Sequence, residues 1–175
     1  SKTTGEKTEI ITDENGYASI PKNEEGRGGL VYDTYVVSEK DTPSGLKPVG
    51  DFEITILEEG RTLYYILENK KIFSPVRLVK KDSHNGEVIP IAGAEFRILD
   101  HEKKSVTMTT YYPQETVHET FQTDENGSFT LPEKLPVGKY YFQEVRAPQG
   151  YVLNDSLLEF EITKSHDWTE PFTVE

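Results

Sequence analysis

The chain has 175 residues, enough for one large domain or two small ones. Hydrophobic residues make up 34% and aromatic residues 11%, so the chain can form packed cores and is not a disordered tail. A formal net charge of −12 without a basic patch argues against nucleic acid or an anionic membrane surface as a partner. No apolar run is long enough to span a membrane, so we expect no membrane insertion of this segment.

The sequence contains no cysteine, which excludes disulfides, thiolate metal sites and thiol catalysis. Its four histidines lie in turns or polar stretches without metal-ligand spacing, and its two DENG turns lack the ligand count of a calcium loop. We therefore expect neither a metal nor a cofactor. Small β-domains that bear load outside a cell without disulfides need another cross-link.

Taken in chain order, the predicted elements are strands and turns, and no stretch shows a sustained helical periodicity. The first part of the chain has a DENG turn followed by TYVVSEK and DFEITI. After a short junction, alternating or β-branched runs bounded by turn residues predict strands at 76–82, 94–99, 105–112, 129–131, 139–145 and 157–163. Short strands at this spacing predict a two-sheet sandwich.

Segments of the first part of the chain recur in the second part. TDENG begins at Thr12 and again at Thr123, TYVVSEKDTPSGL is echoed by KYYFQEVRAPQGY, and DFEITI is echoed by EFEITK. The second echo places Glu39 opposite Glu144. The offsets are 123 − 12 = 111, 144 − 39 = 105 and 160 − 52 = 108. A period of about 100 residues indicates a tandem array of whole domains rather than a solenoid.

The stretch NKKIFSP (69–75) marks the predicted domain junction. Residues 1–73 are expected to form a partial domain that lacks its first strands, because little sequence precedes its DENG turn. Residues 74–175 have a complete opening and are expected to form a domain that lacks its last strand. We expect a small interface between the two around the junction.

One predicted strand carries a carboxyl group where its alternation calls for a core residue. Side chains in a strand alternate between faces, so Tyr140, Phe142 and Glu144 share one face. If Phe142 points into a core, Glu144 does too, and a buried carboxylate is costly unless it is paired, protonated or used. The recurrence of this glutamate as Glu39 argues against accident.

The stretch VRLVKKDSHNGEVIPIAGAEFRILD, followed by TDENGSFTLPEKLPVGKYYFQEVRAPQGYVL, resembles a B-type repeat domain of the Gram-positive collagen adhesin, the SpaA-type pilin fold. The resemblance covers nearly all of 74–174 and, less well, 12–69. It implies an all-β protein of tandem immunoglobulin-like or prealbumin-like antiparallel sandwiches, the first truncated on its N-terminal side. It also implies an extracellular location at a bacterial cell wall or surface, with neighbouring repeat domains as partners and a host surface protein or glycan as a further candidate.

Domains of this family are structural stalk modules of adhesins and pilins, and many carry an intramolecular isopeptide bond. The bond joins a first-strand Lys to a last-strand Asn or Asp, with a buried Glu as catalyst. The resemblance implies Lys80 as the donor, Glu144 as the catalytic proton donor and Glu39 as its equivalent in the first repeat. It implies Asn69 as the acceptor of the first repeat, whose donor strand is missing, while the acceptor for Lys80 is expected after EPFTVE. Such a protein is no enzyme beyond one autocatalytic turnover.

Elementary chemistry agrees with these roles. An amine attacks a carbonyl carbon only when it is neutral, and burial of the lysine favours that form. The carbonyl must be polarised by a proton donor, so the acid must be buried and protonated. A rigid core that holds the groups in contact supplies the effective concentration.

Simpler interpretations remain open from sequence. Lys80 could extend its ammonium to solvent from a strand edge, Glu144 could be an exposed edge carboxylate, and Asn69 could be a turn residue. The alternative function is an adhesin domain that binds a host protein or glycan through its loops.

Three expectations concern single positions. Lys81 should face away from Lys80 and be solvated, and Trp168 should pack in a late strand. Because the acceptor is expected beyond EPFTVE, the slot beside the donor strand should be an open edge, frayed or filled by a neighbouring strand.

Overall fold

In the computed structural model, the described residues are 1–22, 29–166 and 169–175. They contain no helix, and the all-β class is thereby confirmed. Nothing in this described part forms a helix that could cross a membrane. Trp168, predicted to pack in a late strand, lies outside the described residues.

The chain divides into two compact units. The first unit comprises Ser1–Thr42 and Pro48–Asn69, and the second comprises Pro43–Lys47 and Lys70–Glu175. One division falls between Asn69 and Lys70, inside the predicted junction. The domain boundary at 73/74 and the tandem-repeat interpretation stay predictions.

Among its described residues, the first unit has one antiparallel pair of strands, β1 (Asp33–Val37) and β2 (Phe52–Ile56). Both are rich in β-branched and aromatic residues, which suit a pleated surface. The ring of Phe52 lies 5.6 Å from that of Tyr65, centroid to centroid.

The second unit contains twelve strands among its described residues. They are β3 (Phe73–Ser74), β4 (Val76–Val79), β5 (Glu95–Leu99), β6 (Ser105–Val106), β7 (Met108–Thr110), β8 (Thr116–His118), β9 (Phe121–Gln122), β10 (Ser128–Thr130), β11 (Leu135–Pro136), β12 (Gly138–Arg146), β13 (Leu157–Ile162) and β14 (Phe172–Val174). The single strand predicted at 105–112 is divided between β6 and β7, which belong to different sheets.

Two sheets build most of the second unit. One has the order β10-β4-β14, and the other has the order β13-β12-β5-β6, with β9 also pairing β5. β14 runs parallel to β4, whereas the other pairings are antiparallel. The smaller pairs are β11 with β3 and β7 with β8. The structure therefore keeps the antiparallel sandwich pattern except at β14.

A hydrophobic core joins residues of both sheets. Val76 and Leu78 of β4 and Phe142 of β12 are almost fully buried in it. The ring of Phe160 lies 4.9 Å from that of Phe142, centroid to centroid. Lys80 occupies the next inward position directly after β4, and Glu144 occupies the next inward position on β12.

The structure corrects one expectation about β4. The slot beside this strand is not open, because Phe172, Thr173 and Val174 of β14 lie opposite Val76, Arg77 and Leu78. The expectation of a frayed edge was wrong at these positions. The FTV segment has β-branched and aromatic residues with the alternation of a strand, and Val174 is buried in the core.

The sheet register also corrects one of the sequence echoes. Tyr35 lies opposite Ile54, and Tyr140, at an offset of 140 − 35 = 105, lies opposite Phe160. Ile54 therefore corresponds to Phe160, although the echo had matched Phe52 to it. A shift of two residues preserves the facing of every side chain in a strand, so alternation alone cannot detect it.

Candidate functional site

Lys80 and Glu144 come from different sheets and contact each other in the second unit. Lys80 follows β4 at the inward position after Val76 and Leu78, and Glu144 lies on β12 after Tyr140 and Phe142. The distance from Lys80 Nζ to Glu144 Oε1 is 2.8 Å. The side chains are 16% and 2% exposed. Neither residue is the solvent-exposed side chain that the simpler interpretations describe.

The two oxygens of Glu144 have different environments. Oε2 accepts a hydrogen bond of 2.8 Å from the backbone N–H of Asn154. Oε1 is buried, and apart from the Lys80 ammonium it has no hydrogen-bond partner among the described residues. β12 changes register with β5 between Glu144 and Arg146, an irregularity of the kind that re-aims side chains near functional sites.

The Lys80 ammonium lies close to an aromatic ring of the core. Lys80 Nζ lies 5.8 Å from the centroid of the Phe96 ring. Burial raises the pKa of the Tyr140 hydroxyl, which donates a hydrogen bond of 3.0 Å to the Pro136 carbonyl. In such surroundings charge–charge and hydrogen-bond interactions are stronger than in water.

The backbone of Lys80 is fixed by two hydrogen bonds. Its N–H donates to the Gly127 carbonyl, and its carbonyl accepts from the Ile89 N–H, both at 2.9 Å. The neighbouring Lys81 forms an ion pair with Glu175, and its side chain is 33% exposed. Lys81 is therefore partly solvated and does not approach Glu144, in agreement with strand alternation.

The first unit brings Glu39 and Asn69 together. Glu39 Oε2 accepts a hydrogen bond of 2.7 Å from Asn69 Nδ2 and one of 2.8 Å from the Val49 N–H. Both side chains are partly buried. The glutamate thus contacts the amide that the family resemblance assigns as acceptor, and Asn69 is not simply a solvated turn residue.

The backbone contacts of the two glutamates correspond. Val49 lies ten residues after Glu39, Asn154 lies ten residues after Glu144, and each donates its N–H to its glutamate. Sequence reasoning missed both donors, because every non-proline residue carries a backbone N–H and no letter marks its use. The equal spacing from each glutamate was the available signal.

These geometries have a definite chemical capacity. Each glutamate contacts one of the two groups that an amide-forming reaction joins: an amine in the second unit and a carboxamide in the first. A carboxyl group in either place can pass a proton to or from the contacted group. The described residues hold no cluster of three or more His, Asp or Glu side chains that could bind a metal ion.

Comparisons with known proteins point to one family. The model of the family described as "SpaA: Prealbumin-like fold domain" matches residues 74–173. No curated protein matches the chain in sequence.

Among solved structures, the Bacillus anthracis TIE protein is 26% identical, with a TM-score of 0.62, and the match covers 94% of this chain and 28% of that one. The major pilin subunit of Bacillus cereus is 29% identical, with a TM-score of 0.39, over 59% of this chain and 27% of that one. The shaft pilin SpaA of Lactobacillus rhamnosus GG is 20% identical, with a TM-score of 0.41, over 89% and 66%. The chain spans less than a third of the length of the first two proteins.

The family match covers more than half of the chain and contains both Lys80 and Glu144. It begins one residue before Pro75 and ends within β14. The chain therefore belongs to the SpaA prealbumin-like fold domain family.

Proposed function

We propose that this chain is a structural stalk module of a bacterial surface adhesin or pilin, stiffened by autocatalytic isopeptide bonds. It acts at the cell wall or surface, its partners are neighbouring domains of the same protein, and it catalyses no reaction beyond its own cross-linking. The alternative of adhesion through the loops stays a prediction.

The observation that carries the proposal is the 2.8 Å contact between Lys80 Nζ and a glutamate that is 2% exposed. A buried ion pair is a poor device for stability, because desolvating two charges offsets most of their attraction. A lysine and a carboxyl group held together in a core are better explained by a reaction that uses both.

The register of β14 supports one position for the acceptor of Lys80. Phe172 lies opposite Val76 and Val174 lies opposite Leu78, an offset of 172 − 76 = 96. If the strand continues, the residue directly after Glu175 lies opposite Lys80, since 80 + 96 = 176. Leu67-Glu68-Asn69 in the first unit has the same order, with the acceptor directly after the glutamate.

The reaction balances without a cofactor. The Lys80 ammonium first passes a proton to the Glu144 carboxylate that it contacts, which gives a neutral amine and a carboxylic acid. The amine then attacks the side-chain carbonyl carbon of the acceptor asparagine, forming a C–N bond, while Glu144 protonates the carbonyl oxygen. Glu144 then recovers that proton, and the amine proton leaves with the departing amide nitrogen as ammonia. One amide replaces another, and nothing is oxidised or reduced.

The test is the full chain with one asparagine appended after Glu175. Intact mass spectrometry should show the loss of one ammonia, and peptide mapping should place the cross-link on Lys80. Lys80→Arg and Glu144→Ala should each keep the full mass, whereas the matched Lys81→Arg variant should still lose ammonia. An appended chain that folds and keeps its full mass would refute the acceptor position and the covalent proposal.

A further inference from the structure

The chain contains the same four-residue turn twice. In Pro43-Ser44-Gly45-Leu46 the Leu46 N–H donates to the Pro43 carbonyl at 3.2 Å, and Gly45 has φ +80°. In Pro148-Gln149-Gly150-Tyr151 the Tyr151 N–H donates to the Pro148 carbonyl at 3.1 Å, and Gly150 has φ +90°. A positive φ at the third residue, with proline nearby, is typical of a turn that requires glycine. Each glycine lies six residues after its glutamate, at 39 and 144.

The first of these turns pairs with segment 70–72 through an isolated β-bridge. Segment Pro43–Lys47 belongs to the second unit, where Leu46 forms an antiparallel bridge with Lys71. The Lys47 N–H donates to the Lys70 carbonyl at 2.7 Å, and the Ile72 N–H donates to the Gly45 carbonyl at 2.8 Å. Segment 70–72, which pairs with the turn, begins directly after Asn69, and its Ile72 is buried.

The second turn has the same backbone groups, but no segment of the described residues pairs with them in this way. The Gly150 carbonyl corresponds to that of Gly45, and the Val152 N–H corresponds to that of Lys47. Within the described residues, neither group makes a hydrogen bond. Tyr151, Val152 and Leu153 are 41%, 90% and 47% exposed. An apolar turn with an unpaired N–H and C=O is suited to the addition of an extended strand.

We propose that the turn at 148–152 is a docking site for the opening segment of a following domain of the same protein. The segment pairs antiparallel with Gly150 to Val152, as Lys70 to Ile72 pairs with Gly45 to Lys47. Its chemistry is that of Lys70-Lys71-Ile72: an extended backbone that presents one carbonyl to Val152 and one N–H to Gly150, followed by inward packing of an aliphatic side chain.

This inference extends the proposed function, because it requires an array of domains, but it does not require the covalent bond. The acceptor position 176 corresponds to Asn69, at an offset of 176 − 69 = 107. Because segment 70–72 begins directly after Asn69, the docking segment begins directly after the acceptor position. The chain would then be held on both sides of the acceptor, by β14 before it and by the docked segment after it. Each junction between domains in the array would be ordered by the turn of the preceding repeat.

The test is the full chain followed directly after Glu175 by a second copy of residues 69–175, compared with the chain alone. Amide hydrogen exchange is read at single residues by NMR. We expect the Val152 N–H to exchange at least about tenfold more slowly in the extended protein. The Lys47 N–H, already paired with Lys70, should be protected in both and serves as the internal reference.

Two variants keep the test decisive. In the extended protein, Val152→Pro removes the docking donor and should abolish protection of the second-copy isoleucine that corresponds to Ile72. Lys80→Arg blocks the isopeptide bond and should leave protection of Val152 unchanged, so failure of the covalent proposal is distinguishable from failure of docking. Fast exchange at Val152 in the extended protein, or protection that disappears in the Lys80→Arg variant, would overturn the proposal.

Discussion

The regions around Glu39 and Glu144 have the same local frame and hold different chemical groups. In both, a glutamate near the C-terminal end of a strand accepts the N–H of the residue ten positions later. Glu144 is buried and contacts an ammonium, whereas Glu39 is partly buried and contacts a carboxamide. The frame in both regions is therefore made by residues close to the glutamate in sequence, whereas the group that contacts the carboxyl comes from a more distant part of the chain.

The largest difference should appear when each glutamate loses its contact. Lys80→Met should destabilise the second unit by about 3–5 kcal/mol, because it leaves a buried carboxyl group unpaired. Asn69→Ala should cost the first unit only about 1 kcal/mol, because the partly buried Glu39 keeps its backbone donor and can be hydrated. Urea unfolding monitored separately in each unit measures both values.

A second-site change provides the control for this pair. Adding Glu144→Leu to Lys80→Met removes the unpaired group and should recover more than half of the lost free energy. If Lys80→Met alone is as mild as Asn69→Ala, the two sites are energetically alike and the contrast in burial has no consequence.

The two DENG turns give a second comparison between the two units, with the second largest expected effect on stability. In each, an aspartate side chain accepts the backbone N–H groups two and four residues later, and the glycine N–H donates to the aspartate carbonyl at 3.0 Å. A Cβ on Gly127 would lie 1.9 Å from the Ile89 carbonyl oxygen, whereas a Cβ on Gly16 would meet nothing within 4 Å. The local turn is the same, and its packing is not.

Gly127→Ala should therefore cost about 2–4 kcal/mol, from the positive φ of +70° and from the displacement of the Ile89 backbone. Gly16→Ala, at φ +81°, should cost only about 1 kcal/mol from backbone conformation. Thermal and urea unfolding of the two single variants give the values. Equal losses would mean that the Ile89 segment moves aside without cost.

These contrasts show what the sequence could supply. Alternation along KYYFQEV predicted that Glu144 shares a face with Phe142, and alternation along VRLVK predicted the inward position of Lys80. Those are short-range consequences of strand geometry. Two features depend instead on which strands meet and in which register: the filled slot beside β4, and the pairing of Tyr35 with Ile54 rather than with Phe52. A shift of two residues in register leaves the pattern of exposed and buried positions unchanged.

Asn69 is a second example of a contact that the sequence alone does not predict. Its letter and its place after Leu67-Glu68 indicated an acceptor through family resemblance, but only the fold brings it within 2.7 Å of Glu39. The backbone donors at Val49 and Asn154 left no mark in composition. Contacts made by the main chain become visible only when the loop that carries them has a defined path.

The smallest expected effect concerns acid stability in the second DENG turn. The Asp124 pKa lies below its ordinary value, first because the Ser128 N–H donates to its carboxylate and then through Asn126 and the charge of Arg77. A lowered pKa in the folded protein stabilises the fold above the unfolded pKa of 3.8, and this contribution is lost as the pH falls through the folded value.

Asp124→Asn keeps an acceptor oxygen for the Ser128 N–H but cannot titrate. The variant should therefore lose less stability than the parent between about pH 5 and pH 2. At neutral pH the variant should be slightly less stable than the parent. Urea midpoints measured across this range decide the matter: parallel pH profiles for parent and variant would show that Asp124 does not contribute to the acid lability of the second unit.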